Sequence, residues 1–243
     1  MVTGALIVTS TGTPPMITTT RTLTTMITIM PTDPALILHQ WFSPAYPLGS
    51  FAYSHGLETA IQDGRISGAG GLEAWLEDVL HHGTGHIDAI FVQAAYGCAD
   101  GAAVMALDAQ ARAFSPSAER LMESVQQGAA FTRTTRDIWA LELPELTHAV
   151  AVGYAARQLA LPCVLTATLY LQAFLSNLVS CAVRLVPLGQ TEGQAVLHRL
   201  SAQCEAVAAR AATEGTDGLM SAAFAAEIAA MRHETLNHRI FRT

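Results

Sequence analysis

Histidines are the residues in this sequence with the clearest potential for chemistry. His82 and His86 are four positions apart, a spacing that lets two imidazoles on one helical face share a metal ion. Gly83 and Gly85 lie between them, and glycines at such positions favour the end of one helix and the start of the next. We therefore expect His81 and His82 to lie at a helix C-terminus, where basic side chains are favourable, and we predict no metal site there.

A second histidine pair, His233 and His238, has nearly the spacing of a zinc-protease helix but is one residue too long. Residues i and i+4 of a helix lie about 40° apart around the axis, whereas i and i+5 lie about 140° apart. One helical face therefore cannot present both imidazoles to one ion, and the sequence predicts no zinc site here.

Other catalytic groups are missing or isolated. The chain has 13 arginines and no lysine, so it cannot supply a lysine to a phosphate-binding loop, a Schiff base or a general base. The chain also has no nucleophile elbow, no C-x-x-C pair and no strand-linked G-x-G-x-x-G. The four cysteines, which lie among apolar residues, are expected to be reduced and packed like small hydrophobic groups: Cys98, Cys163, Cys181 and Cys204. The sequence thus favours a cytoplasmic binding protein without a cofactor.

An all-helical enzyme or small-ligand-binding protein is the alternative hypothesis. His55 and Glu58 are three positions apart and can form an acid–base pair. In this alternative, Tyr46 and Tyr53 line a pocket around that pair.

The charge of the chain restricts its partners. The formal net charge is -7, and all of the acidic excess lies in residues 1–150. A general nucleic-acid-binding protein normally presents a basic face, so we expect no nucleic-acid partner.

Helical periodicity dominates the sequence after residue 33, and it predicts an all-α, single-domain bundle of about eight to ten helices over residues 33–243. We expect the third apolar stripe to belong to a helix with Ser115 as its N-cap and Pro116 at its first position. The stripes predicted to face the core are Leu72, Trp75, Leu76, Val79 and Leu80; Ile87, Ile90, Phe91, Ala94 and Cys98; Leu121, Met122, Val125 and Ala129; Leu146 and Val150; Val196, Leu197, Leu200, Cys204, Val207 and Ala211; and Met220, Phe224, Ile228 and Met231.

Two segments differ from the rest of the bundle. Residues 158–183 carry no charged side chain and are long enough for a membrane span. However, polar residues recur every four positions along one edge, at Gln172, Ser176, Ser180 and Arg184. We therefore expect a buried central helix or a subunit contact in a soluble protein. Residues 1–32 are rich in threonine, and we expect a disordered extension or a misassigned start.

Two further segments suggest recognition. Residues 41–58, the opening segment, combine two prolines and two glycines with five aromatic side chains; they either close the bottom of the bundle or form an aromatic recognition surface. Residues 231–243, the closing segment, alternate arginines with Leu236, Ile240 and Phe241. Such an end either docks onto the parent domain or inserts into a partner, or it is a frayed tail.

Together these segments resemble the family of the urease accessory protein UreF, over residues 34–243. The family opens with the pattern S-P-x-x-P-x-G-x-F-x-x-S-x-G-L-E, which is matched here by Ser43, Pro44, Pro47, Gly49, Phe51, Ser54, Gly56, Leu57 and Glu58. It closes with M-R-H-E followed by R-x-F-R, which is matched by Met231, Arg232, His233, Glu234, Arg239, Phe241 and Arg242.

The resemblance implies a non-enzymatic assembly factor. Proteins of this family are all-helical dimers that join a second accessory protein, UreD or UreH, and recruit the GTPase UreG. The assembly acts on apo-urease during GTP-dependent nickel insertion. The resemblance also implies that the matched residues bind partners, with Phe241 as the apolar anchor of an exposed tail. It offers no role for residues 1–32.

Overall fold

Residues 33–243 form a bundle of helices around one core. The computed structural model describes residues 32–243, and within them it contains ten α-helices and no strand. The helices are α1 (Pro34–Trp41), α2 (Leu57–Gln62), α3 (Ala69–His82), α4 (Thr84–Gly97), α5 (Gly101–Ala113), α6 (Ala118–Trp139), α7 (His148–Gln158), α8 (Cys163–Leu185), α9 (Gln190–Glu214) and α10 (Phe224–His233), with short 3-10 helices at Ser50–Ala52 and Gly215–Gly218. The predicted all-α, single-domain bundle is confirmed.

Helices α4 and α8 form the centre of the bundle. α8 packs along α9, α4 packs along α7, and α4 also contacts α3, α8 and α9. The apolar stripes predicted for α3 and α9 are buried in this core, as are Ile87, Ile90 and Phe91 of α4, and Leu146 and Val150. Gly83 ends α3 as predicted, because the next residue already begins α4.

The predicted core face of α6 is wrong. Its N-cap is Ser117 rather than Ser115, and Met122 of the predicted stripe is exposed while Leu121, Val125 and Ala129 are only half-buried. The buried face instead carries polar side chains, including Arg120, Glu123 and Gln127. Polar groups tolerate burial when they are hydrogen-bonded, and these three bond to one another.

The predicted core face of α10 is also wrong. The large apolar residues of the stripe lie on the exposed side: Met220, Phe224, Ile228 and Met231. The small residues Ala226, Ala229 and Ala230 are buried against the bundle instead. This arrangement lets the backbone of α10 approach α2 closely, since a Cβ placed on Gly56 would lie 2.6 Å from the amide nitrogen of Ala230. We call the three residues of this stripe that belong to α10, Phe224, Ile228 and Met231, the α10 apolar face.

Helix α8 is the one described helix that is long and apolar enough to cross a membrane by length and composition, although 39% of its apolar stretch is buried in the bundle. It contacts α2, α3, α4, α7 and α9, which is the setting of a core helix. The predicted polar edge of α8 lines a cavity that is described below. The predictions for the Thr-rich extension concern residues that, apart from Thr32, lie outside the described part of the chain.

Gly56 provides a test of the contact between α2 and α10. It has φ 76° in addition to the close approach to Ala230, so Gly56→Ala introduces both backbone strain and a clash. We expect a loss of about 2 kcal/mol or more in the free energy of unfolding, measured by urea denaturation.

Gly64→Ala is the matched control for Gly56→Ala. Gly64 has φ 74°, but a Cβ added to it would meet no other atom within 4 Å. Its substitution should cost only the backbone strain, about 1 kcal/mol. Equal losses for the two variants would contradict the close approach of α10.

Candidate partner-binding surface

The opening and closing segments of the sequence meet at one junction, which α2, α10 and the last residues of the chain form together. Glu58 of α2 lies at its centre and is 1% exposed. Its carboxylate accepts hydrogen bonds from the amide nitrogens of Ile240, at 2.8 Å, and Phe241, at 3.0 Å. A buried carboxylate is costly without donors, so the two amides satisfy Glu58 and Glu58 in turn fixes the path of the closing segment.

His233 joins this junction to α6. Its ring is fully buried, with Nδ1 2.7 Å from a carboxylate oxygen of Glu119 and Nε2 3.3 Å from one of Glu58. Each ring nitrogen therefore faces a carboxylate oxygen from a different helix. Arg239 also pairs with Glu119, on its other oxygen. The histidine is therefore a structural link between α2, α6 and the closing segment.

Arg232 and Glu234, which flank His233 in the sequence, link the same helices at the protein surface. The carboxylate of Glu234 accepts hydrogen bonds from the amide nitrogens of Ala118, at 2.8 Å, and Glu119, at 3.3 Å. These amides belong to the first turn of α6, which lacks acceptors within the helix, so Glu234 caps it. Arg232 pairs with Asp63, which follows the end of α2. The M-R-H-E stretch thus ties α10 to α2 and α6.

The end of the chain is packed into the bundle, which corrects the expectation of an exposed tail. Phe241 is only 3% exposed, and the guanidinium of Arg184 on α8 lies 4.5 Å from the centre of its ring. Thr243 is buried as well; its hydroxyl donates to Glu123 at 2.8 Å, and Ser54 donates to its main-chain oxygen. Phe241 is therefore a core residue and not an exposed anchor.

The matched residues of the two segments divide by exposure. The buried ones are Ser54, Gly56, Leu57, Glu58, His233 and Phe241. Those that are half-buried or exposed, and so available to another protein, are Ser43, Pro44, Pro47, Gly49, Phe51, Met231, Arg232, Glu234, Arg239 and Arg242. This division could not be read from the sequence, because both groups belong to the same short patterns.

Strongly exposed apolar side chains occur in the opening segment, in the closing segment and on α10. Phe51 and Ile240 are 69% and 71% exposed, and Phe224 on the α10 apolar face is 65% exposed. Arg242 donates its amide proton to the carbonyl of Ala52, which brings the end of the chain beside Phe51. Exposed apolar residues that adjoin charged ones are typical of protein-binding surfaces. Our sequence interpretation missed this one, because it assigned the α10 stripe to the core.

Two of the histidines near residue 82 form hydrogen bonds within the bundle. The ring of His81 bonds to Gln203 and that of His86 to Glu214, both on α9. Burial lowers the pKa of His86, and the charge of Arg210 lowers it further. Among residues 32–243 there is no group of three His, Cys, Asp or Glu side chains placed to hold a metal ion.

The residues of the alternative pocket do not converge. The hydroxyl of Tyr46 bonds to Thr135, that of Tyr53 bonds to Gln126, and Nε2 of His55 bonds to Thr84. Glu58 is engaged by the closing segment, and burial lowers the pKa of His55 well below its usual range. Of the four, Tyr46 alone lines the large cavity of the described chain. The structure therefore does not support the predicted acid–base site.

Phe241 and Ile240 test the packing of the closing segment. We expect Phe241→Ala to lower the free energy of unfolding by about 3–5 kcal/mol, because it leaves a cavity in the core. Its neighbour Ile240 is exposed, so Ile240→Ala should change stability by no more than about 0.5 kcal/mol. Thermal or urea unfolding measures both. A fully stable Phe241→Ala variant would show that the tail is free.

Comparison with known proteins identifies the family. A family model for UreF matches residues 66–201. The chain is 50% identical over 222 residues to a urease accessory protein UreF of Roseobacter denitrificans, which covers 91% of this chain and 100% of that protein. It is 48% identical over 208 residues to the UreF of Ruegeria pomeroyi, covering 86% and 96% of the two chains, and 49% identical over 208 residues to one from Cereibacter sphaeroides, covering 86% and 98%. The chain belongs to the urease accessory protein UreF family.

Proposed function

We propose that this protein is a non-enzymatic scaffold for urease maturation. In this proposal it bridges a UreD/UreH-type accessory protein, a UreG-type GTPase and the urease apoprotein in the cytoplasm, while nickel is inserted in a GTP-dependent step. It also influences when the GTPase acts. The observation that carries the proposal is the α10 apolar face, which is exposed beside a rigid junction and has no role in the fold.

In this proposal, GTP hydrolysis belongs to a partner. A phosphate-binding loop of the Walker type needs a lysine, and all 13 residues of the Lys and Arg class here are arginines. The described residues also contain no cluster of metal ligands, which fits a protein that need not retain the nickel ion. These observations favour a scaffold over a catalyst.

The UreD/UreH-type protein is the partner that we assign to the α10 apolar face. Phe224, Ile228 and Met231 form an apolar stripe on α10, Arg232 follows Met231 directly, and Arg239 lies in the closing segment; the two arginine side chains are 53% and 41% exposed. An apolar centre with a charged rim is the usual organisation of a specific interface. The junction holds this face rigid, so little conformational entropy is lost on binding.

Acidic substitutions on the α10 apolar face test this assignment. Phe224→Asp and Ile228→Asp should weaken binding to the UreD/UreH-type protein at least about tenfold, because each places a charge in the centre of the interface. Isothermal titration calorimetry measures the affinity, and unchanged circular dichroism shows that the bundle is intact.

Met105→Asp is the matched control for these variants. Met105 is 48% exposed and belongs to α5, a different helix from α10. The Met105→Asp variant should therefore bind the partner with unchanged affinity. Equal losses of affinity for Met105→Asp and Phe224→Asp would contradict a specific surface on α10.

Helix α8 is the surface that we assign to a homodimer. Val164 and Leu165 are exposed near its start, and no charged residue occurs from 158 to 183. A helix whose single charged residue, Arg184, lies in its last turn, and which is only partly covered by its own bundle, can bury further apolar surface against a second copy.

Leu165→Asp should convert the dimer to a monomer, because a charge at this position is buried without a partner in the assembly. Sedimentation equilibrium gives the mass of the assembly. Ile138→Asp, at an exposed apolar position of α6, is the control and should leave the mass unchanged. A dimer that survives Leu165→Asp would exclude α8 as its interface.

A further inference from the structure

A large cavity lies between the turn of the opening segment and helices α6 and α8. Its volume is about 880 Å³, and its walls include residues 42–51, Arg120 and Glu123 of α6, and the polar edge of α8. Cavities of about 300–1,000 Å³ commonly hold small organic molecules. We call it the loop cavity. The bridging role proposed above makes no use of it.

The apolar part of its wall is aromatic. Trp41, Phe42, Tyr46, Tyr170 and Phe174 all line the cavity. Several are locked against one another or their neighbours by edge-on contacts; the ring centres of Phe42 and Tyr170, for example, are 6.3 Å apart. Aromatic faces carry negative partial charge and attract cations. The wall therefore favours the body of an organic molecule with a positive group.

Two carboxylates in the wall differ in how well they are satisfied. Glu123 is paired with Arg120, accepts a hydrogen bond from Gln127 at 3.1 Å and accepts another from Thr243 at 2.8 Å. Asp88, on α4, receives one hydrogen bond, from the hydroxyl of Tyr170 at 2.7 Å. None of the ion pairs formed within residues 32–243 includes Asp88.

The other titratable groups around Asp88 do not neutralise it. Burial raises the pKa of Tyr170 well above its usual range and lowers the pKa of His148 to about 4, so both are neutral at pH 7. The positive charge of Arg120 is compensated by Glu123. Burial raises the pKa of Asp88 itself to about 6, which still leaves it ionised at pH 7. An ionised carboxylate without a counterion is a costly feature for a cavity wall.

We propose that the loop cavity binds a small organic cation, whose ammonium group pairs with Asp88 and whose body packs against the aromatic wall. Arg120 Nε, which has no hydrogen-bond partner among the described residues, can donate to an acceptor group on the same molecule. A bound metal ion fits less well, since Glu123 is already saturated and the described residues offer no group of three metal-binding side chains.

Matched probes test the proposal on the full-length protein. Benzylamine and benzyl alcohol have the same shape and differ in charge. Chemical shift changes in NMR titrations should show that benzylamine binds about tenfold more tightly or better at pH 7.5, which corresponds to one close charge interaction. In the Asp88→Asn variant the two probes should bind equally. No binding of benzylamine, or no preference over benzyl alcohol, would overturn the proposal.

Asp137→Asn is the matched control for Asp88→Asn. Asp137 is exposed at the end of α6 and does not line the cavity, so its substitution should leave the preference for benzylamine unchanged. If Asp137→Asn abolished the preference as completely as Asp88→Asn, the effect would come from the net charge of the protein, and the site would be refuted.

Stability against pH gives an independent measurement of Asp88. Because the pKa of its carboxyl is higher in the folded chain than the ordinary 3.8, the folded state holds this proton more tightly, and stability is lost as pH rises from about 4 to about 6. Asp88→Asn removes that loss while Tyr170 can still donate to the new amide. The urea midpoint of the variant should therefore equal that of the parent near pH 4 and exceed it at pH 7. A lower midpoint at pH 7 would show that Asp88 is already paired within the fold, and would contradict the proposal.

Discussion

The burial of the Glu58 carboxylate is the constraint on which the rest of the junction depends. A carboxylate that is 1% exposed must receive hydrogen bonds, and the donors nearest to it are two main-chain amides some 180 residues further along the chain. Since main-chain donors are fixed in position, satisfying Glu58 sets the path of the closing segment. Phe241 then reaches the core, and Thr243 reaches Glu123.

This arrangement explains why the two short sequence patterns occur together. Gly56 allows α10 to pack closely on α2, Glu58 binds the closing segment, and His233 links both to Glu119. Part of each pattern builds the junction, while the remaining residues lie on its surface. A rigid surface with exposed apolar and guanidinium groups suits the scaffold role that is proposed above.

The sequence predicted the helical class and most of the core, because the stripes of α3 and α9 alternate with charged residues and so identify a single buried face. It failed for α6 and α10, where both faces could pack. Glu123 is buried because Arg120, Gln127 and the distant Thr243 satisfy it, and periodicity cannot reveal a donor 120 residues away. Ala229 and Ala230 are buried because small side chains permit close packing, although the larger Phe224 and Ile228 give the stronger hydrophobic signal. The loop cavity was equally hidden, since its walls come from separate parts of the chain.

Amide hydrogen exchange tests the central claim, that the closing segment belongs to the folded core, most directly. The amides of Ile240 and Phe241 donate to Glu58, and that of Arg242 donates to Ala52. We predict that these three exchange at least about a thousandfold more slowly than an unstructured peptide of the same sequence, in the protein without any partner. Exchange at the rate of the unstructured peptide would contradict the account, because the closing segment would then be a free arm.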